Sequence, residues 1–259
     1  MFRILHDIVS RRELLGMLVA RNIKIRYKES ALGFLWTLLG PVFLILIYAI
    51  FLGIMRVAVP LPLLVTGIFV WQYLAMCLGD STHAIVGNAN LVKKAMFPRV
   101  LLPFSMVLAN CVNFLLSLVI VVIYLKIVHV PFGAMGWLPL ALLTQVALCT
   151  GVSLMLASLN VFLRDVQHLI GVFTMAWFFL TPVIYSPDMV LQKFSNPVIH
   201  QLFYLNPMTG LMTLYRAALM GEAMPTVALW GPSLLMSWLI GMAGVAVFQR
   251  LQKQFADEL

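Results

Sequence analysis

LGFLWTLLGPVFLILIYAIFLGIM, residues 32–55, runs for 24 positions without an Asp, Glu, Lys or Arg. A helix needs roughly 20 apolar residues to cross the ~30 Å hydrocarbon layer of a bilayer, so this stretch reads as a transmembrane helix. Further charge-free runs cover 57–79, 100–125, 127–163, 166–187, 194–215 and 223–249. The whole chain agrees: 63% of its 259 residues are hydrophobic and 10% charged, and the mean hydropathy is +1.01. A soluble domain averages about 25% charged and 45–50% apolar residues, so a water-soluble globule is excluded. The expected fold class is all-α, a single polytopic membrane domain over residues 1–259.

The run 194–215 contains Asn196, Pro197, His200, Gln201, Asn206, Pro207 and Thr209, too many polar groups to face lipid, and is rejected as a span. Parity supports six spans. With a cytosolic start, 13 of the 17 Lys and Arg residues fall inside, and only Arg56, Lys126, Lys193 and Arg216 fall outside. A seventh span would move Arg250 and Lys253 outside and invert the positive-inside bias at the C-terminus. Six transmembrane helices over 29–259, with both termini cytoplasmic, are therefore expected.

Residues 1–28 are too charged for a signal peptide. Leu14, Leu15, Leu18 and Val19 at helical spacing beside Arg11, Arg12, Arg21 and Lys24 instead suggest a cytosolic amphipathic helix in the membrane interface, or a simple topological anchor. Residues 87–99, GNANLVKKAMFPR, form a basic cytosolic loop whose Leu91, Met96 and Phe97 suit contact with protein as well as lipid. The longest outside segment, about 184–226, is cut by Pro187, Pro197, Pro207 and Pro225 into short helices that pack at or dip into the outer interface.

The chain has no G-x-x-x-x-G-K-[ST] sequence, and no Gly is followed by Lys, so it has no P-loop with which to cradle nucleotide phosphates. No catalytic constellation is found. Asp80 is the one carboxylate within an expected span, with His83 on the same helical face and Lys93 or water as its expected partner. The five His residues lack metal-ligand spacing, so no metal site is assigned. Cys77, Cys111 and Cys149 sit in apolar runs and read as buried thiols. Arg164 and Asp165 mark a tight turn between the fourth and fifth spans, with Asn160 placed to cap it. Asn110 and Asn113 share a face of the third span and are placed to bond between helices. The aromatics near span ends, among them Trp36, Trp71, Tyr73, Trp177 and Phe178, fit an interfacial belt. A subset facing a passage and stacking on sugar rings is the alternative.

Arg21-Asn-Ile-Lys-Ile-Arg-Tyr-Lys-Glu-Ser-Ala-Leu-Gly-Phe-Leu-Trp36 with Pro41 resembles the opening signature of ABC type-2 permeases that export polysaccharides. Asn90-Leu-Val-Lys-Lys-Ala-Met-Phe-Pro-Arg99 with Leu102-Pro103 is similar to their second signature. Phe162-Leu-Arg-Asp165, Thr181-Pro-Val-Ile-Tyr185, Asn206-Pro207 and Phe255-Ala-Asp257 follow in the family's order.

The resemblance implies a homodimer working with two separate ATP-binding cassette subunits, which bind the ATP and Mg, so that this chain holds no cofactor and is not itself an enzyme. It implies a substrate such as O-antigen, capsule or teichoic acid on a polyprenyl pyrophosphate, moved across the bacterial inner membrane, and no nucleic-acid partner. Asn90, Lys93, Lys94, Phe97, Pro98 and Arg99 would receive the ATPase stroke. Arg21, Lys24, Arg26 and Lys28 would meet the lipid pyrophosphate, and residues 186–222 would form outer gate helices. Trp36, Trp71, Tyr73, Trp177 and Phe178 are the candidate glycan-channel aromatics. A type-2 exporter of drugs or small lipids, or a membrane-embedded polyprenyl-phosphate glycosyltransferase, are the competing readings.

Overall fold

The computed structural model describes residues 8–28, 30, 32–33, 35–93, 97–194, 196–224 and 226–259, without the side chains of 228 and 229. Arg3, His6, Lys94, Met96 and Pro225 lie outside the described residues. Among the described residues every regular element is a helix. They are α1 (Arg12–Tyr27), α2 (Leu35–Ile54), α3 (Leu61–Thr82), the one-turn α4 (Ala89–Val92) and α5 (Leu101–Ile127). α6 (Trp137–Phe162), α7 (Val166–Leu180), α8 (Pro187–Lys193) and α9 (Pro197–Leu205) follow, then α10 (Pro207–Met220), α11 (Val227–Leu251) and α12 (Phe255–Glu258).

Among the described residues five helices are long and apolar enough to cross a membrane: α2, α3, α5, α6 and the Trp230–Leu251 part of α11. The fifth expected span differs. Its charge-free run gives α7, a helix of 15 residues, which at 1.5 Å per residue is about 22 Å long. It starts directly after the Arg164–Asp165 turn, as expected, and stops at Thr181-Pro182, where proline biases the preceding residue away from the helical region. Asn160 does not cap this turn; its amide donates to the carbonyl of Thr82 at 3.0 Å and ties α6 to the end of α3.

α3 and α6 form the centre of the bundle, and both bury most of their surface inside the protein. One apolar core runs between α3, α5, α6 and α10, around Ile68, Leu74, Leu148, Met208 and Leu211. A second gathers Leu15 and Leu18 of α1 with Ile85, Val92, Leu101, Leu154, Phe248 and Phe255. The terminal Phe255 packs there against Phe162 and Phe248. Without a hydrophobic drive between helices in lipid, close backbone approach at small residues supplies the packing. α6 and α11 use it: a Cβ on Gly244 would stand 1.9 Å from the carbonyl oxygen of Gly151.

The polar run 194–215 forms no membrane-length helix and is divided between α9 and α10. α10 buries nearly its whole length against α3, α6 and α11, with Met208, Leu211, Leu214, Tyr215 and Ala218 at 0% exposure. Of the polar residues that argued against lipid, Asn206, Pro207 and Thr209 pack against protein, whereas Asn196, Pro197 and Gln201 are exposed.

Overpacking a close helix crossing costs about 1–3 kcal/mol. Gly244→Val is therefore expected to lower the thermal midpoint of the purified protein in detergent. Gly53→Ala, where an added Cβ meets nothing within 4 Å, should leave it unchanged; equal midpoints for the two variants would remove this crossing from the account.

Candidate functional site

α2, α3 and α7 enclose an open groove of about 360 Å3 lined by Leu44, Tyr48, Trp71, Gln72, Ala75, Gly79, Ile170, Gly171, Thr174, Met175, Phe178 and Phe179. Its aromatic end is ordered by ring contacts. Phe178 stacks on Tyr48 at 5.5 Å and meets Trp71 edge-on at 5.6 Å, and Trp71 meets Trp177 edge-on at 6.0 Å. Trp71 and Phe178 thus line the groove, with Trp177 buttressing Trp71 from behind. Tyr73 does not join them. It points to the core, stacks on Phe114 at 5.1 Å and donates to the carbonyl of Val107. Trp36 stands apart at the start of α2, 56% exposed. The alternation follows from helical geometry: Trp71 and Ala75, four residues apart, share a face of α3 that Tyr73 does not.

The chain break after α7 is held by two side chains. Asn206 accepts from the Trp177 indole at 2.9 Å and from the backbone N–H of Met208, and donates to the carbonyl of Leu180 and the hydroxyl of Thr181. Arg216, 1% exposed, donates to the carbonyl oxygens of Pro182, Val183 and Tyr185 at 2.7–3.2 Å. Burial lowers the Arg216 pKa to about 10, while Glu222 and Tyr185 act in the opposite direction, so the guanidinium is charged at neutral pH. Gly67 admits the same turn, since a Cβ there would lie 2.2 Å from the carbonyl oxygen of Val183. The Thr181–Tyr185 and Asn206-Pro207 sequences, 25 residues apart, are one structural unit. Arg216 was read from the sequence only as a boundary charge, and its buried position has no local signal.

At the opposite end of α3 the four candidate cations of α1 are not equivalent. Arg26 forms an ion pair with Asp80, whose carboxylate also accepts from the Asn110 amide at 2.8 Å. This replaces Lys93 or water as the expected partner of Asp80. Arg21 donates to the Asn88 side chain at 3.0 Å, which fixes α1 to the short helical turns Val86–Val92. Asn22 donates to Ser105 on α5 at 2.9 Å. Lys24 and Lys28 are exposed. α1 therefore lies along α5 with Leu15, Leu18 and Asn22 inward, leaving Met17, Ile25 and Lys24 outward.

In the 90–99 segment Asn90 and Lys93 are exposed, while Phe97 packs against the second core. Pro98 is half-buried. Arg99 donates to the carbonyls of Val92 and Gln252, so it joins this segment to the end of α11. Among the described residues no group of three His, Cys, Asp or Glu could hold a metal ion.

Arg26→Gln and Asp80→Asn should each destabilise the fold, and the double variant should be less destabilised than their sum. For a half-buried pair the coupling in a double-mutant cycle is about 1 kcal/mol. Strict additivity in detergent unfolding would show that the two charges do not interact.

Residues 13–220 match the model of the ABC-2 type transporter family. The chain is 31% identical over 255 residues to an O-antigen export system permease protein RfbA of Klebsiella pneumoniae, covering 95% of each chain. It is 32% identical over 267 residues to a protein of the same description from Myxococcus xanthus, covering 100% of each. A family match across most of the chain, on a bundle with five membrane-length helices and no P-loop, leads to one assignment: the chain belongs to the ABC-2 type transporter family, as the membrane permease of an exporter whose ATP is hydrolysed by a separate subunit.

Proposed function

We propose that this permease moves an O-antigen-like polysaccharide, carried on a polyprenyl pyrophosphate, from the cytoplasm across the bacterial inner membrane. The observation that carries this reading is the full-length similarity to permeases named for O-antigen export. In this reading two copies of the chain form the passage and two ATP-binding cassette subunits, holding ATP and Mg, drive it. Each copy crosses the membrane six times, with α7 as the short fifth crossing and both termini in the cytoplasm. Helices α8 to α10, within 186–222, form the outer gate.

The groove supports a glycan passage on chemical grounds. Sugar rings present C–H faces that suit an aromatic plane, and Trp71, Phe178 and Tyr48 offer such planes beside the polar Gln72 and Thr174. The cations support a lipid pyrophosphate, because positive groups at the interface attract and orient phosphate oxygens. Of the four, Lys24 and Lys28 are exposed and are the two that meet the headgroup. On the same logic Asn90 and Lys93 make the outward contact with the ATPase, and Phe97 and Arg99 carry its motion into the second core.

The test is ATPase activity of the reconstituted permease with its partner cassette subunits. Lipid-linked polysaccharide should stimulate hydrolysis, and neutralising Lys24 and Lys28 together should weaken that stimulation. Stimulation by small hydrophobic drugs or short lipids alone would transfer the chain to that class of exporter.

A coupling role for the 90–99 segment predicts that Lys93→Glu or Phe97→Ala lowers polysaccharide export several-fold while the chain still inserts and assembles. Export assayed in cells should fall with membrane levels unchanged; export at the parental rate would detach the segment from coupling.

A further inference from the structure

α5 carries two asparagines at membrane depth whose hydrogen bonds are incomplete. Asn113 stands twelve residues into this helix, about 18 Å along it, and Asn110 lies one turn before it on the same face. Asn110 is 1% exposed and Asn113 2%. The Asn110 amide nitrogen serves Asp80 and the Asn113 carbonyl oxygen accepts from Tyr27 at 3.1 Å. The remaining two atoms, the Asn110 carbonyl oxygen and the Asn113 amide nitrogen, have no partner among the described residues. Leaving such groups unpaired in an apolar surrounding costs free energy that native structures avoid.

Both residues line one small cavity between α2, α3 and α5, together with Thr37, Gln72 and Ser117. Its volume is about 10 Å3, room for a single water-sized sphere. We infer that this cavity binds one ordered water, which donates to the Asn110 carbonyl oxygen and accepts from the Asn113 amide. The lining selects water over a cation, because the unpartnered Asn113 amide is a donor and repels positive charge. It equally demands an acceptor, which an apolar filler does not provide.

The water completes an unbroken seam. It runs from Arg26 to Asp80, to Asn110, through the water to Asn113, to the Tyr27 hydroxyl, and on to Thr37 of α2 at 2.6 Å. The seam starts at Arg26, returns to its neighbour Tyr27 on α1 and ends on α2, and its path touches α3 and α5. It therefore fastens the C-terminal end of α1 into the bundle independently of what the protein exports.

The direct test is a cryo-EM map of the full permease complex in a lipid nanodisc, at a resolution that shows ordered waters elsewhere in the protein. Density within hydrogen-bond distance of both asparagines is expected, and an empty cavity in such a map overturns the water site. The seam is tested separately by limited trypsin digestion. Tyr27→Phe, which removes only a hydroxyl, and Asn113→Leu, which fills the cavity, should each speed cleavage at the exposed Lys24 by several-fold. Because Tyr27→Phe leaves the side-chain shape intact, parental cleavage in that variant overturns the role of the seam in holding α1 even if Asn113→Leu fails to fold.

Discussion

A backbone group buried away from water has to be satisfied by the protein itself, so a buried break between helices needs partners close by. This chain interrupts its helices at Thr181–Tyr185 and again at Asn206, and the buried guanidinium of Arg216 and the amide of Asn206 supply the missing partners. Burying a charge is costly unless its donors are used. Here three carbonyls use Nη1 and Nη2, while Nε has no partner among the described residues. The position of α7 follows from that turn. Trp177 is held by Asn206, Trp71 leans on Trp177, and Phe178 closes against Tyr48. The aromatic end of the groove is thus an outcome of how the break beside it is paired.

The far end of α3 solves a related problem with the opposite charge. Asp80 would be an isolated carboxylate in an apolar helix, and Arg26 of α1 neutralises it while Asn110 satisfies a further lone pair. An N-terminal helix that could have rested on the lipid surface is drawn against α5. Through Arg21 and Asn88 it also joins the segment that leads to Lys93 and Arg99. α3 thereby connects both ends: Trp71 and Gly79 on the groove, Gly67 under the 181–185 turn, and Asp80 on the N-terminal helix. Under the proposed coupling role, these contacts connect residues 90–99 with the groove walls.

Much of this was legible in the residues alone. Charge-free runs located α2, α3, α5, α6, α7 and α11, because exclusion of charge from lipid acts on every residue of a span. The Arg164–Asp165 turn and the inter-helix roles of Asn110 and Asn113 were legible for similar local reasons. What was hidden depends on tertiary partners. The polar count of 194–215 argued against a span but could not distinguish a surface helix from α10, which protein surrounds. Lys93 was nearer to Asp80 in sequence direction than Arg26, 54 residues away, and nothing local marks a partner at that range. Tyr73 and Trp71 carry the same aromatic signal, and only the rotation of α3 separates a core ring from a groove ring. Arg216 looked like a boundary charge because its three acceptors belong to a turn that folds back over it.

The account rests on a passage that opens only when another subunit spends ATP. The most direct measurement is transfer of lipid-linked polysaccharide into the lumen of inverted membrane vesicles that contain the permease with or without its cassette partner. Accumulation that requires both the partner and ATP hydrolysis is the predicted result. Equal accumulation with the permease alone, or with a partner unable to hydrolyse ATP, would contradict it.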